Sequence, residues 1–428
     1  MLAFCSPTQT LAQVAGDVAS YNSSGAVGHS NQYIDAAAFP NSDICQKIYA
    51  AFSGAPRSGA VLDARGINAS SLLTCSSTET PWYNGSSYHN VPATILLPAG
   101  TITISLAWTL PNGTKLIGEG PSKTIIQTNS STGITSGPMI IMGTSSGSLA
   151  CPTAGCTGVE VQDLALSVSS GSGPGLTGIQ NENSGDLSFV RNVSLTNFAV
   201  YGLQISGSGA QNSGPYTDIS YTTTSAVSNS SATECVNISG AATRGIQGLT
   251  CNTVSPGGPL AAAVEIEASD NLLQDVAADE GFVDGVLIGS TSTTANVVLE
   301  NIAGGHTNTV EIGADSEDIT ILAVASQGGK NTILDDLTGG PTLTDKTVAL
   351  YAVGEPVKSG STKVGYTRFT TSLNMPTWAA FSQALPTPPS GSCVSGSILT
   401  NSAGIAGSTS TVPTMWVCTG GSWAVVPI

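Results

Sequence analysis

The chain has 428 residues, of which 9% are charged and 40% hydrophobic, with 50 glycines and a formal net charge of −16. An ordinary soluble domain is about 25% charged, so this chain can bury a large core under hydroxyls and amides, the composition of a turn-rich all-β protein. It has no basic run, which excludes nucleic acid as a partner and disfavours an anionic membrane surface, while leaving uncharged glycans open.

The opening segment, "MLAFCSPTQTLAQVAGD", looks like the tail of a secretory signal, with small residues around Ala12–Ala15. Residues 1–16 are therefore expected to be a signal-peptide remnant and the protein to be secreted or held at the cell surface. No apolar run reaches the roughly 18–20 residues of a membrane span. "NSDICQKIYAAF" reads as an amphipathic helix over 42–53, with Ser42 as N-cap, Asp43 in the first turn, and Ile44, Ile48, Ala51 and Phe52 on one face. "AVLDARGI" follows as a strand. A loop with Cys75, Trp82 and Tyr83 leads into residues 93–127, where short alternating strands are punctuated by Pro98–Gly100, Pro111–Gly113 and Gly118–Pro121.

From about residue 158 the chain is periodic. Ile179 and Leu203 are 24 residues apart, and Val264, Val286, Val310 and Ile333 continue in steps of 22, 24 and 23. A second strand precedes most of these, as in "VRNVSL", "NLLQDVA", "VVLENIA" and "DITILAV". The stretch 208–262 is less regular, and Ile246 joins the series only if a loop is inserted around "SGPYTDISYTTTS". A coil of this size cannot bury its own apolar side and must stack on its neighbours. The expected fold is all-β, a right-handed parallel β-helix of nine to eleven coils with an N-terminal capping helix. It should occupy residues 17–380, its coils stopping after Thr347–Val353. Residues 381–428 then form a linker and a small C-terminal cystine-stapled β module containing Trp416 and Trp423.

"ILLPAGTITISLAWTLPNGTKLIGEGPSKTII" resembles the opening coils of the pectin-lyase-like right-handed β-helix superfamily, particularly secreted bacterial members, and "ICQKIYAAF" with "AVLDARGI" resembles their N-terminal cap. The likeness covers roughly residues 33–350. It implies a fold shared by lyases, glycoside hydrolases, tailspikes and non-enzymes. The polygalacturonase pattern does not carry over: "LDD" at Asp335–Asp336 and "GGH" at Gly304–His306 lie in the wrong order, and no N-T-D or R-I-K occurs. Arg191 and Arg244 sit in no lyase motif.

The nine cysteines fall into neighbouring couples, Cys45–Cys75, Cys151–Cys156, Cys235–Cys251 and Cys393–Cys418, leaving Cys5 in the leader. No C-x-x-C pair or His-rich cluster suggests zinc. No cofactor is expected, and calcium, which lyases of this fold use, is not indicated by any motif.

Alternation points the residue after each core position outward, giving the column Gln180, Gln204, Glu265, Leu287, Glu311 and Leu334. Coils stack about 4.8 Å apart, so Glu265 and Glu311 would stand roughly 9–10 Å apart, at the upper edge for an inverting glycosidase pair. The loop "DNLLQDVAADEGFVD" flanks them with Asp279, Glu280 and Asp284; the like charge of Asp279 and Glu280 would raise a carboxyl's pKa, and His306 lies beside this face. Glu265, Glu311, Asp279, Glu280 and His306 form the candidate catalytic set. A plainer reading makes them solvated acids, placed alternately to avoid repulsion, with Asp284, Asn308 and Asn331 a turn-stabilising ladder. Trp82, Tyr83, Trp416 and Trp423 either stack on sugars or are buried. Two functions stand: an extracellular protein that binds or cleaves a polysaccharide as a glycoside hydrolase or lyase, or a non-catalytic adhesin or surface-structural protein. Ice binding would want a Thr column, which this is not.

Overall fold

The computed structural model describes residues 32–321 except 57–58, 130–132, 170–174, 225–232, 255–259, 280, 293 and 314–315, and beyond them the strands named below. Two long sheets alternate along the chain. The first begins with Gln32–Asp35, Ala60–Asp63 and Ala93–Leu96 and continues through Glu160–Val168, Phe189–Thr196, Tyr216–Thr224, Ile246–Val254, Leu272–Ala278 and Thr294–Ala303. Ten parallel strands, from Trp108–Leu110 to Lys358–Ser359, build the second sheet among the described residues, and the antiparallel Thr362–Gly365 ends it. Every strand pair within the coils is parallel and joins one turn to the next, which makes a parallel β-helix; crossover geometry makes it right-handed. Parallel pairing thus continues past residue 353, to Lys358–Ser359, which completes the turn begun by Val348–Leu350.

The core is a set of stacked columns. In the second sheet Ile140, Ile179, Leu203, Val236, Val264, Val286, Val310 and Ile333 are in register. The seven from Ile140 to Val310 are fully buried. Each contributes about 1.5–3 kcal/mol through burial. The irregular coil is resolved by Val236, not Ile246. Ile246 lies in the first sheet, opposite Tyr216 and Leu273.

Small residues precede the core column: Gly178, Gly202, Cys235, Ala263, Gly285 and Thr309. Cys235 and Val236 are both buried, as are Ala263 and Val264. Two successive inward positions break strict alternation, so the strand turns a corner there, and only a small residue fits inside it. A Cβ on Gly202 would lie 2.6 Å from the Tyr221 ring and 2.7 Å from the Cys235 carbonyl oxygen. Gly202→Ala is expected to cost about 1–3 kcal/mol as overpacking; an unchanged denaturation midpoint would contradict this.

The first sheet carries another column. Asp163, Asn192, Asp218, Gly248, Asp275 and Asn301 all have left-handed φ, between 50° and 70°, where Gly, Asn and Asp are the residues that fit readily. Asn192 Nδ2 donates to Asp163 Oδ1 at 2.6 Å, and Asn301 Nδ2 to Asp275 Oδ1 at 2.6 Å, so the kink is tied from coil to coil.

The helix spans Ile44–Phe52, with Ile44, Cys45, Ile48, Ala51 and Phe52 in the core. Asp43, not Ser42, is its N-cap: extended at φ −146°, it accepts from the Gln46 backbone N–H at 2.9 Å, while Ser42 bonds the Gln46 side chain. Disulfides join Cys45 to Cys75, Cys151 to Cys156 and Cys235 to Cys251. The Cys393–Cys418 pairing lies outside the described residues. Near the C-terminus, Trp378–Phe381, Ile398–Asn401, Thr414–Thr419 and Ser422–Val426 form a four-stranded sheet. It starts before residue 381.

Candidate functional site

The outer column of the second sheet runs Gln180, Gln204, Asn237, Glu265, Leu287, Glu311 and Leu334. Glu265 and Glu311 are in this column with Leu287 between them, so the backbone separates them by two coil rises. Asn237 is the member that the sequence pattern skips. It brings in a carboxylate that alternation had hidden.

Glu234 lies three residues before Asn237, across the corner at Cys235–Val236. The corner returns both side chains to one side. Asn237 Nδ2 donates to Glu234 Oε2 at 2.9 Å and to Glu265 Oε2 at 3.1 Å. The two carboxyls share this donor and are themselves close enough to hydrogen-bond, so they sit in direct contact. Glu234 is only 6% exposed. Burial, reinforced by the charge of Glu265, pushes its pKa up to about 9, with the Asn237 hydrogen bond opposing. Glu234 is therefore protonated at neutral pH.

The Ser290 hydroxyl lies 2.6 Å from Glu265 Oε1 and shares its one proton between that oxygen and Glu267. Glu267 accepts from the Ser290 hydroxyl and from the Thr291 backbone and hydroxyl. Burial pushes its pKa up, but these bonds outweigh it and leave the carboxyl below its usual value. Tyr201, paired with Glu234 in register, has its phenol raised by burial and then by Glu234 and Glu265. Towards the start of the column Gln180 donates to Ser206 at 3.0 Å. The arrangement pairs a neutral acid with a carboxylate, on a strip of amides and hydroxyls.

The other sequence candidates are placed differently. Glu311 accepts from Asn308 Nδ2 at 2.8 Å, and the same amide reaches Asp284 Oδ1 at 2.7 Å, repeating the carboxyl–amide–carboxyl motif two coils on. Asp284, Asn308 and Asn331 stack in backbone register. Asp279 is bound by Thr253 through its backbone N–H and hydroxyl and by the Gly281 N–H. It follows the first-sheet strand Leu272–Ala278 and ties one turn to the next. Glu280 lies outside the described residues. His306 is exposed, its backbone N–H bonded to the Phe282 carbonyl. Trp82 is fully buried edge-on to Trp108, and Tyr83 stacks on Tyr88.

No protein-family description and no curated protein matches the chain. Solved structures do resemble it. One is the enzymatically active domain of bacteriophage CBA120 tailspike protein 2, at 12% identity and a TM-score of 0.37, over 62% of this chain and 42% of that one. Another is the A-module of the Azotobacter vinelandii mannuronan C-5 epimerase AlgE4, at 13% identity and 0.36, over 63% and 80%. A third is the catalytic domain of a GH87 α-1,3-glucanase, at 12% identity and 0.33, over 77% and 60%. The fold is a parallel β-helix. The chain spans less than half the length of the tailspike domain. Among the described residues of this β-helix no group of three or more acids, histidines or cysteines is placed to hold a metal ion, and no helix is long and apolar enough to cross a membrane.

Proposed function

We propose that this β-helix acts outside the cell on a polysaccharide, as a glycoside hydrolase whose acid is Glu234 and whose carboxylate is Glu265. The carrying observation is the pairing itself: two carboxyls on adjacent coils, bridged by one amide, with one of them held neutral. In glycoside cleavage a protonated carboxyl gives its proton to the leaving oxygen, while an ionised one attacks or stabilises the sugar cation. Burial supplies the first state at Glu234. The half-buried Gln180 and Gln204, in register on adjacent coils, offer an extended chain one amide each. Three disulfides accord with an oxidising compartment.

The reading is tested by incubating the full chain with neutral, amino and acidic glycans and scoring new reducing ends and unsaturated products separately. Reducing ends without unsaturation support hydrolysis. Unsaturated products would replace it with a lyase, and binding without turnover would select an adhesin. Glu311, with Asn308 and Asp284, is the second location on the same face.

A further inference from the structure

The side chain on the coil before the carboxyl pair narrows the substrate class, and this inference rests on the glycan reading above. Tyr201 is in register with Glu234, and Gln204 with Asn237. Tyr201 and Gln204 flank the corner at Gly202–Leu203 as Glu234 and Asn237 flank the corner at Cys235–Val236. Adjacent coils are about 4.8 Å apart, so Tyr201 stands beside the acid, and its phenol lies within the field of both Glu234 and Glu265. The second-sheet strands from Trp108–Leu110 to Asn331–Asp335 contain three aromatic residues, Trp108, Tyr201 and Phe282. Trp108 and Phe282 are fully buried in the core, whereas Tyr201 is only half-buried.

An aromatic ring that meets solvent one coil from a carboxyl pair is a surface on which a sugar can stack. The electron-rich face of the ring attracts the C–H groups of a pyranose, and the half-buried Gln204 amide beside it can meet the hydroxyls. One coil rise is close to the length of one sugar in an extended 1,4-linked chain. A chain running along the column therefore places one ring on Tyr201 when the next glycosidic oxygen faces Glu234. Successive sugars of a β-1,4-linked chain are turned over relative to one another. A pyranose with every hydroxyl equatorial has C–H groups on both faces and stacks either way up, while an axial hydroxyl spoils one face.

We propose that Tyr201 stacks on the sugar adjoining the bond at Glu234, and that the site thereby selects β-1,4-linked chains of all-equatorial pyranoses over chains with an axial hydroxyl.

The test measures binding of β-1,4-linked glucose and β-1,4-linked mannose hexasaccharides, which differ in one axial hydroxyl per sugar, to the full chain and its variants. The glucose chain is expected to bind at least about 3-fold more tightly than the mannose chain, and Tyr201→Ala to weaken the glucose chain at least about 10-fold. Tyr201→Ala should also bring the glucose-to-mannose ratio close to one, whereas Tyr201→Phe, which keeps the ring, should preserve it. Tyr88→Ala, which removes an exposed tyrosine from the loop after the capping helix, should leave both affinities unchanged. A tyrosine that only supported the strand would weaken the two chains equally. Equal binding of the two chains by the wild type, tighter binding of mannose, equal weakening of both by Tyr201→Ala, or a ratio lost in Tyr201→Phe would overturn the stacking inference while leaving glycan binding intact. Binding of neither hexasaccharide but of another glycan in the wider panel would do the same. Binding of no glycan at all would overturn both.

Discussion

Glu234→Gln is expected to lower glycan cleavage by at least about 10²-fold, as loss of a positioned general acid does. Gln keeps the shape and the hydrogen-bonding atoms but has no transferable proton. Glu265→Gln should cost at least as much, and the double variant should be little worse than either single one, because the pair acts as a unit. The pH dependence has a definite sign. An acid with a folded pKa of about 9 against an ordinary 4.5 lets the native protein keep a proton that the unfolded chain releases. Its stabilising influence is complete below about pH 4.5 and is lost as pH rises towards 9, by up to about 1.4 kcal/mol per unit. Wild-type stability should therefore decline across that window, and Glu234→Gln should flatten the decline. Parallel pH profiles for the two proteins, or full activity in either single variant, would move the acid elsewhere.

Removing the Cys45–Cys75 disulfide, as Cys45→Ala with Cys75→Ala, is expected to cost about 3.5 kcal/mol in denaturant unfolding by the loop-entropy argument. The bond closes a 30-residue separation and fixes a helix whose inner face is core. Cys151–Cys156 spans only 5 residues, so its removal should cost nearer 2 kcal/mol. Loosening of the helix would also strip cover from nearby strands, and open strand edges invite pairing between molecules. Light scattering of the first variant should rise on warming before that of the second. Equal losses for the two bonds would refute the loop-length explanation.

The sequence reveals the solenoid because a core column repeats through many coils, and its error at Val236 has a simple cause. Leu203 and Val236 are 33 residues apart, well beyond the common step, and Ile246, apolar and in the same irregular stretch, belongs to the other sheet. Glu265 and Glu311 follow from alternation. Glu234 does not, since alternation assigns it inward, two places before a core valine. The corner reverses that assignment. A signal for it was present in the small residue before each core position, at Gly178, Gly202, Ala263 and Gly285. Such a run marks where a strand bends and where two outer side chains can converge. Asp279 shows the opposite limit: an acid in a loop has no parity, and its bonds to Thr253 and Gly281 depend on turn geometry that spacing does not encode.

The left-handed column of the first sheet has a chemical consequence over time. Asn192 and Asn301 each donate an amide hydrogen to an aspartate on the preceding coil. Hydrolysis of either amide, the spontaneous ageing reaction of asparagine, would convert a hydrogen bond into two facing carboxylates. Each vulnerable amide is followed by a β-branched residue, Val193 or Ile302, whose bulk hinders the backbone nitrogen that must attack the side chain to begin deamidation. Placing asparagine before valine or isoleucine thus does two things at once: the apolar neighbour fills the core, and it slows the clock on the ladder beside it.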